Sequence, residues 1–166
     1  MELIRGFQHF RPRHRGCVAT IGAFDGVHLG HQAVLRQLIA KGREMGLPST
    51  VVLFEPLPRE FFSPDEAPAR LMSFKEKFIA LRELGIDRVM RIRFTPDFRD
   101  MTANEFIHKL FVAGLGVKYI VVGDDLRFGR NRSGDFDLLR KFGKIDGFEV
   151  VDTSTLEVTG ERVSST

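Results

Sequence analysis

The sequence predicts an α/β domain, a parallel sheet wound on both faces by helices. Two observations lead there. Short apolar runs alternate with helix-period segments along the chain. Serine and threonine caps open, and glycines close, several of those helical segments. That alternation is the signature of strand–helix–strand units, whose strands pair in parallel because each helix crosses over the sheet.

Each element has its own signal. Residues 17–23 (CVATIGA) form an apolar run that reads as a buried strand, and 28–45 read as a helix closed by Gly46 before Pro48. Residues 50–54 are a second strand. Ser73 caps the next helix, to about Leu84, with Glu76 three positions on completing a capping box and Gly85 ending it. Residues 88–94 alternate like a strand. Thr102 and Glu105 repeat the capping box for a helix to about Ala113. Residues 118–123 (KYIVVG) are the clearest parallel strand, 135–142 are helical, 148–152 are a further strand, and 156–163 are a candidate for one more. The proline-rich span 56–68 is the one long connection without a period, and such loops often serve function.

Composition bounds the reading further. At 166 residues the chain holds one domain with a real core. Hydrophobic residues at 43% and charged residues at 28% are globular proportions, not disordered ones. Sixteen Phe, with one Tyr and no Trp, exceed what the surface can carry, so some build the core. The net charge of +3 is mild, and the basic residues are scattered apart from Arg11, Arg13 and Arg15 around His14. An anionic small substrate is therefore expected rather than nucleic acid. A single cysteine, Cys17, fits a reducing compartment. No run reaches signal-peptide or membrane-span length, so a cytoplasmic location without membrane association is expected.

The chemistry is concentrated where the first strand meets the first helix, in Gly22-Ala-Phe24-Asp25-Gly26-Val-His28-Leu-Gly30-His31. In an open parallel sheet, ligands bind at the carboxyl ends of the strands. A helix amino terminus there offers free N–H groups and a positive dipole end to anions. Gly22, Gly26 and Gly30 allow sharp turns and close backbone approach. His28 and His31, three apart, share one side of the first turn and can donate to phosphate oxygens. Singly, each histidine is more often a cap or a satisfied core residue. The i, i+3 spacing without supporting Cys or Glu is poor for zinc. Neither a Walker A sequence nor a G-x-G-x-x-G is present.

The His-x-Gly-His after a first strand resembles the nucleotidyltransferase superfamily, which includes the class I aminoacyl-tRNA synthetases. The longer string over 22–31 looks like the bacterial FAD synthetases, the adenylyltransferase half of bifunctional riboflavin kinase/FMN adenylyltransferases. Three more segments match in the same order, Phe54-Glu-Pro-Leu-Pro58, Val122-Gly-Asp-Asp-Leu-Arg-Phe-Gly129 and Arg162-Val-Ser-Ser-Thr166.

That resemblance implies a Rossmann-like nucleotidyltransferase fold and adenylyl transfer from ATP to FMN, giving FAD and pyrophosphate, with Mg²⁺ on the phosphates. It implies that His28 and His31 hold the phosphates and stabilise the transition state, with Gly22, Phe24, Asp25 and Gly30 shaping the ATP pocket. Ser164, Ser165 and Thr166 match the first three positions of the family's Ser-Ser-Thr-x-x-Arg motif, and their hydroxyls would bond phosphate. On the flavin side it implies Gly123, Asp125, Arg127 and Phe128, with Phe62, Phe106 and Phe128 as aromatic walls. Phe106 also fits the buried face of its helix.

The chain departs from the family pattern in three places. Leu126 stands where many relatives have an aromatic, and Asp125 where Asn is an alternative. The sequence also stops at Thr166, before the motif's Arg. The expectation is thus a 1–166 FMN adenylyltransferase domain cut within its last motif, without the riboflavin kinase domain to which relatives are fused. No residue is singled out as a metal ligand. A sister nucleotidyltransferase acting on another phosphate, and a non-catalytic flavin- or nucleotide-binding fragment, remain the competing readings.

Overall fold

The strands and helices run in strict alternation over most of the chain. In the computed structural model, which describes residues 1–22, 24, 29–55, 65 and 73–153 (without the side chains of 29–31), the order begins β1 (Glu2–Ile4), β2 (Cys17–Ile21), α1 (Leu29–Met45), β3 (Ser49–Phe54), α2 (Phe74–Leu84) and β4 (Arg88–Ile92). It continues with the one-turn α3 (Pro96–Arg99) and α4 (Ala103–Phe106), which widens into a π-helix (Ile107–Gly114). Then come β5 (Val117–Val122), the short antiparallel pair β6 (Arg127–Phe128) and β7 (Gly134–Asp135), α5 (Phe136–Asp146) and β8 (Glu149–Asp152). The candidate strand at 156–163 and most of the 56–68 span lie outside the described residues.

The main sheet has six strands in the order β1-β4-β3-β2-β5-β8, and every pair in it is parallel. Leaving aside β1, this is the doubly wound, Rossmann-like order, whose direction of winding reverses between β2 and β5. The period of two along each strand sends alternate side chains to opposite faces. Cys17, Ala19 and Ile21 join Met90, Ile92, Phe106, Phe111 and Ile120 on the face covered by α4 and its π-helical continuation. Val18, Val51, Leu53 and Val89 join Leu35, Leu38 and Leu81 on the face covered by α1 and α2. Helices on both faces follow directly.

The capping boxes form as expected. Ser73 accepts from the Glu76 N–H at 3.1 Å while the Glu76 carboxylate accepts from the Ser73 N–H at 3.1 Å, and Gly85 ends α2 at φ 102°. Thr102 and Glu105 do the same for α4. Other boundaries shift. The alternation over 88–94 ends at Ile92 because Thr95 caps a new helix with Pro96 in its first turn. The helix expected over 135–142 continues to Asp146, where Gly147 closes it in the left-handed region.

Strand β1 carries no sequence signal of its own and is held by charge. The Glu2 carboxylate accepts from the Arg13 guanidinium, one contact at 2.9 Å, and faces His14 Nε2 at 3.0 Å and Arg88 Nε at 3.6 Å. His14, 2% exposed, accepts the Arg11 N–H on Nδ1 at 2.9 Å, and Arg88 donates to the His14 carbonyl at 2.9 Å. The hydrogen bond from Arg13, reinforced by His14, lowers the Glu2 carboxyl to about 2. A carboxyl depressed in the folded state stabilises above its unfolded value and loses that contribution as pH falls through the folded one. Glu2→Gln should therefore cost about 1–2 kcal/mol at pH 7, after allowance for screening at exposed Arg13. The gap to the parent should close between roughly pH 4.5 and pH 2. Urea melts of both proteins across that range check it, and a pH-independent gap would show that packing, not charge, holds β1.

Candidate functional site

The reversal of winding between β2 and β5 opens a crevice at their carboxyl ends, and two of the four motif segments begin there. Thr20 pairs with Val121 across the two strands, and the Thr20 hydroxyl donates to the Val121 carbonyl at 2.6 Å. Ile21 and Val122 therefore end side by side, and the segments after them, from Gly22 and from Gly123, leave the sheet next to each other.

On the β2 side, Gly22 donates its N–H to Val52 O at 3.2 Å. A Cβ on Gly22 would lie 2.9 Å from the Phe24 ring, so a larger residue there would have to displace that ring. Phe24 has φ 50°, unusual for a residue with a side chain, and its ring is 6% exposed in the core beneath α1 and α2. It shapes the turn from below and offers no open ring face. Helix α1 starts at Leu29, which puts Gly30 and His31 in its first turn with the unpaired N–H groups of the helix end. Asp25 and His28 lie outside the described residues, as does the side chain of His31.

On the β5 side, Leu126 donates its N–H to Gly123 O at 3.2 Å, closing a tight turn. Exposed Asp125 folds back over it, its Oδ1 2.6 Å from where a Cβ of residue 123 would sit. Arg127 is half exposed and faces Asp135 across the β6–β7 pair at 3.8 Å. Phe128 turns inward, 7% exposed, its ring centroid 5.1 Å from that of Phe106. Gly129 follows at φ 77°, where a Cβ would come within 2.6 Å of Ala103 Cα. Only glycine lets the hairpin press this closely on α4, and the Arg130 N–H donating to Met101 O at 2.8 Å fixes the approach. The loop then passes through Asn131 and Arg132, at φ 58° and 55°.

Phe106 does not stand where an open flavin wall would. It is 1% exposed, in edge contact with Phe98 and Phe111 at 5.8 Å each, and it backs Phe128. Its helix presents it to the sheet, so burial prevails over display. Phe62, Ser164, Ser165 and Thr166 lie outside the described residues.

Phe98 escaped the sequence reading. It centres an aromatic cluster with Phe7, Phe54, Phe94 and Phe106, the closest ring 5.1 Å away. Thr95-Pro96 was the signal that would have placed it on a capped helix. Beside it a groove of about 640 Å³ opens at the β1 and β4 end of the sheet, lined by Arg5, Phe7, Arg93, Thr95, Phe98 and Met101 among others. It lies beside the outer strands β1 and β4. Cys17 is buried, and burial pushes its thiol up to about 11, which leaves no thiolate for nucleophilic work. Among the described residues no group of three or more His, Cys, Asp or Glu side chains is placed to hold a metal ion. None of the described helices is long and apolar enough to cross a membrane.

Comparison with known proteins agrees with this geometry. Residues 10–166 match the sequence pattern of the family described as FAD synthetase. The chain is 52% identical over 166 residues to a bifunctional riboflavin kinase/FMN adenylyltransferase of Pseudomonas fluorescens. It is 49% identical over 167 residues to one of Escherichia coli (strain K12). All of this chain is covered in both alignments, against 53% of each relative, so the chain spans about half the length of the curated relatives it matches. Its fold is similar to a crystal structure of a macrolide-efflux protein from Streptococcus pneumoniae, with TM-score 0.73, 24% identity, and coverage of 98% of this chain and 53% of that one.

Proposed function

The chain belongs to the FAD synthetase family, and from that premise we propose that it transfers the AMP part of ATP to FMN, releasing pyrophosphate and forming FAD. The observation that carries this reading is the pairing of β2 with β5, which starts the Gly22 and Gly123 segments side by side at the point where the winding reverses. One segment leads into a helix amino terminus, suited to polyphosphate. The other leads to Asp125, Arg127 and Phe128, the flavin side.

An FMN phosphate oxygen attacks the α-phosphorus of ATP in line, the bond to the bridging oxygen breaks, and pyrophosphate leaves. A phosphate monoester dianion is already a nucleophile, so no general base or covalent intermediate is needed. The protein's part is positioning and charge stabilisation. His28 and His31, with the N–H groups of α1, would stabilise charge on the transferring phosphate, and the hydroxyls of Ser164, Ser165 and Thr166 would add donors. Mg²⁺ would enter on the ATP phosphates and keep much of its water shell. Among the described residues no group of three or more His, Cys, Asp or Glu side chains is placed to hold it. The kinase activity in the relatives' name is not proposed for these residues, although a riboflavin kinase unit is the natural partner that would supply FMN.

The direct test is formation of FAD and pyrophosphate from FMN, ATP and Mg²⁺. Binding of both ligands without product would favour a non-catalytic module. Adenylation of phosphopantetheine in place of FMN would favour a sister enzyme. The flavin side has its own test, because an isoalloxazine needs an apolar wall and ATP is held mainly by its phosphates. Phe128→Ala should weaken FMN by about 1–2 kcal/mol and leave ATP unchanged. Phe62→Ala should do the same. Calorimetry giving equal losses for both ligands would assign these rings to the core alone.

A further inference from the structure

Two strand ends have no part in the mechanism above. Strand β1 ends at Ile4 and β4 at Ile92, and the two pair in parallel with Ile4 opposite Met90. Arg5 and Arg93 are the next residues along the chain. Both therefore leave the sheet at its carboxyl end, where open parallel sheets place their ligands. Both line the groove of about 640 Å³ beside Phe98, a volume within the range of small-molecule sites. Strand β3 stands between β4 and β2 in the sheet, and the groove shares no lining residue with Gly22, Phe24 or the segment 123–129.

Arg5 and Arg93 are exposed, and among the described residues neither guanidinium has an ion-pair or hydrogen-bonding partner. The acids that line the same groove are largely taken. Asp100 accepts from Arg99 at 3.2 Å, and Glu105 accepts from the Thr102 hydroxyl at 3.0 Å and faces Lys109 at 4.0 Å. Only Asp97 among them has no partner in the described residues. Another wall is apolar. The half-buried rings of Phe7 and Phe98 lie nearly parallel, 6.4 Å between centroids and 24° between planes, and Met101 adjoins them. Gly6 sets up that wall, because its φ 140° and ψ 173° belong essentially to glycine and turn the chain from β1 into the short helix that carries Phe7.

Unpaired guanidiniums suit a phosphate monoester, whose terminal oxygens accept charge-assisted hydrogen bonds from each of them. The apolar wall suits a flat ring. The free carboxylate of Asp97 repels further negative charge, which disfavours a polyphosphate. We propose that this groove is a second ligand site, distinct from the β2–β5 crevice, for an aromatic phosphate monoester, a flat ring system joined to a single phosphate. Arg5 and Arg93 hold the phosphate, and Phe7, Phe98 and Met101 take the ring. The inference stands independently of adenylyl transfer in the crevice. FMN and AMP share this chemistry, and the two are separated by experiment.

Amide NMR of the protein, titrated separately with FMN, AMP, inorganic phosphate and ATP, locates each ligand. FMN, AMP or both should give saturable shifts at Gly6, Phe7 and Phe98, and the tighter of the two identifies the preferred ring. Inorganic phosphate and ATP should act on the same amides about ten-fold more weakly, one lacking the ring and the other carrying excess charge. In the doubly substituted Arg5→Gln/Arg93→Gln protein the affinity read at those amides should fall about ten-fold or more, the loss of charge-assisted hydrogen bonds. Shifts that the same ligand causes at Gly22 and Gly123 should be unchanged. If that protein does not fold, Arg93→Gln alone decides, with a fall of about three-fold or more expected. Shifts confined to Gly22 and Gly123, no shift with any probe, equal affinity for inorganic phosphate or ATP, or a folded variant that binds like the parent would each overturn the proposal.

Discussion

Replacing His28 or His31 by alanine is expected to lower the rate of FAD formation by about 10²–10³-fold, the scale of losing one preorganised donor to a developing charge. The two residues are three apart where α1 begins, and His31 falls within its first turn. Under the proposed mechanism, imidazoles in that place would meet the transferring phosphate together with the helix N–H groups, with hydrogen bonds that strengthen as charge builds up. An interaction made mainly in the transition state lowers kcat and kcat/KM alike, whereas uniform binding appears in KM alone. Kinetics on each variant, with circular dichroism to verify the fold, therefore test the role as well as the residue. A variant with near-parental kcat/KM would remove that histidine from the mechanism.

The second large effect concerns stability. Phe106→Ala should lower unfolding free energy by about 3–5 kcal/mol, as for other fully buried aromatics. The ring is 1% exposed and touches Phe98, Phe111 and Phe128, so its removal leaves a cavity that three rings cannot fill without shifting. FMN affinity should fall as well, through loss of the support behind Phe128. Urea unfolding measures the first effect, and a cost under about 1 kcal/mol would mean that the site collapses easily or that the ring is not core.

Phe106 also shows why part of the site was not legible in the sequence. A flavin wall and a helix core position ask for the same residue type, and periodicity alone does not separate them. The capping boxes at Ser73–Glu76 and Thr102–Glu105 were legible because all their partners lie within one turn. The alternation of strands and helices, and with it the doubly wound sheet, was legible for the same local reason. Strand β1 was not, since its three residues depend on Arg13, His14 and Arg88 for their place. The β6–β7 pair was missed because two-residue strands carry no period. The candidate phosphate segment was singled out from glycine and histidine spacing, which is local chemistry, while the closeness of its start to the Gly123 segment needed the β2–β5 pairing.

The pairing of β1 with β4 has a consequence for how the chain is made. Glu2 is synthesised well before its strand partner Arg88. At typical synthesis rates the interval is roughly 4–17 s. Throughout it Leu3 and Ile4 have no strand to add to, and two apolar residues with unpaired backbone invite contact with other nascent chains. The brevity of β1 and the charges of Glu2 and Arg5 on its flanks make it a poor template for such contacts. Arg13 and His14 emerge soon after Glu2 and can engage it early, so the segment that later closes one edge of the sheet need not wait as bare chain.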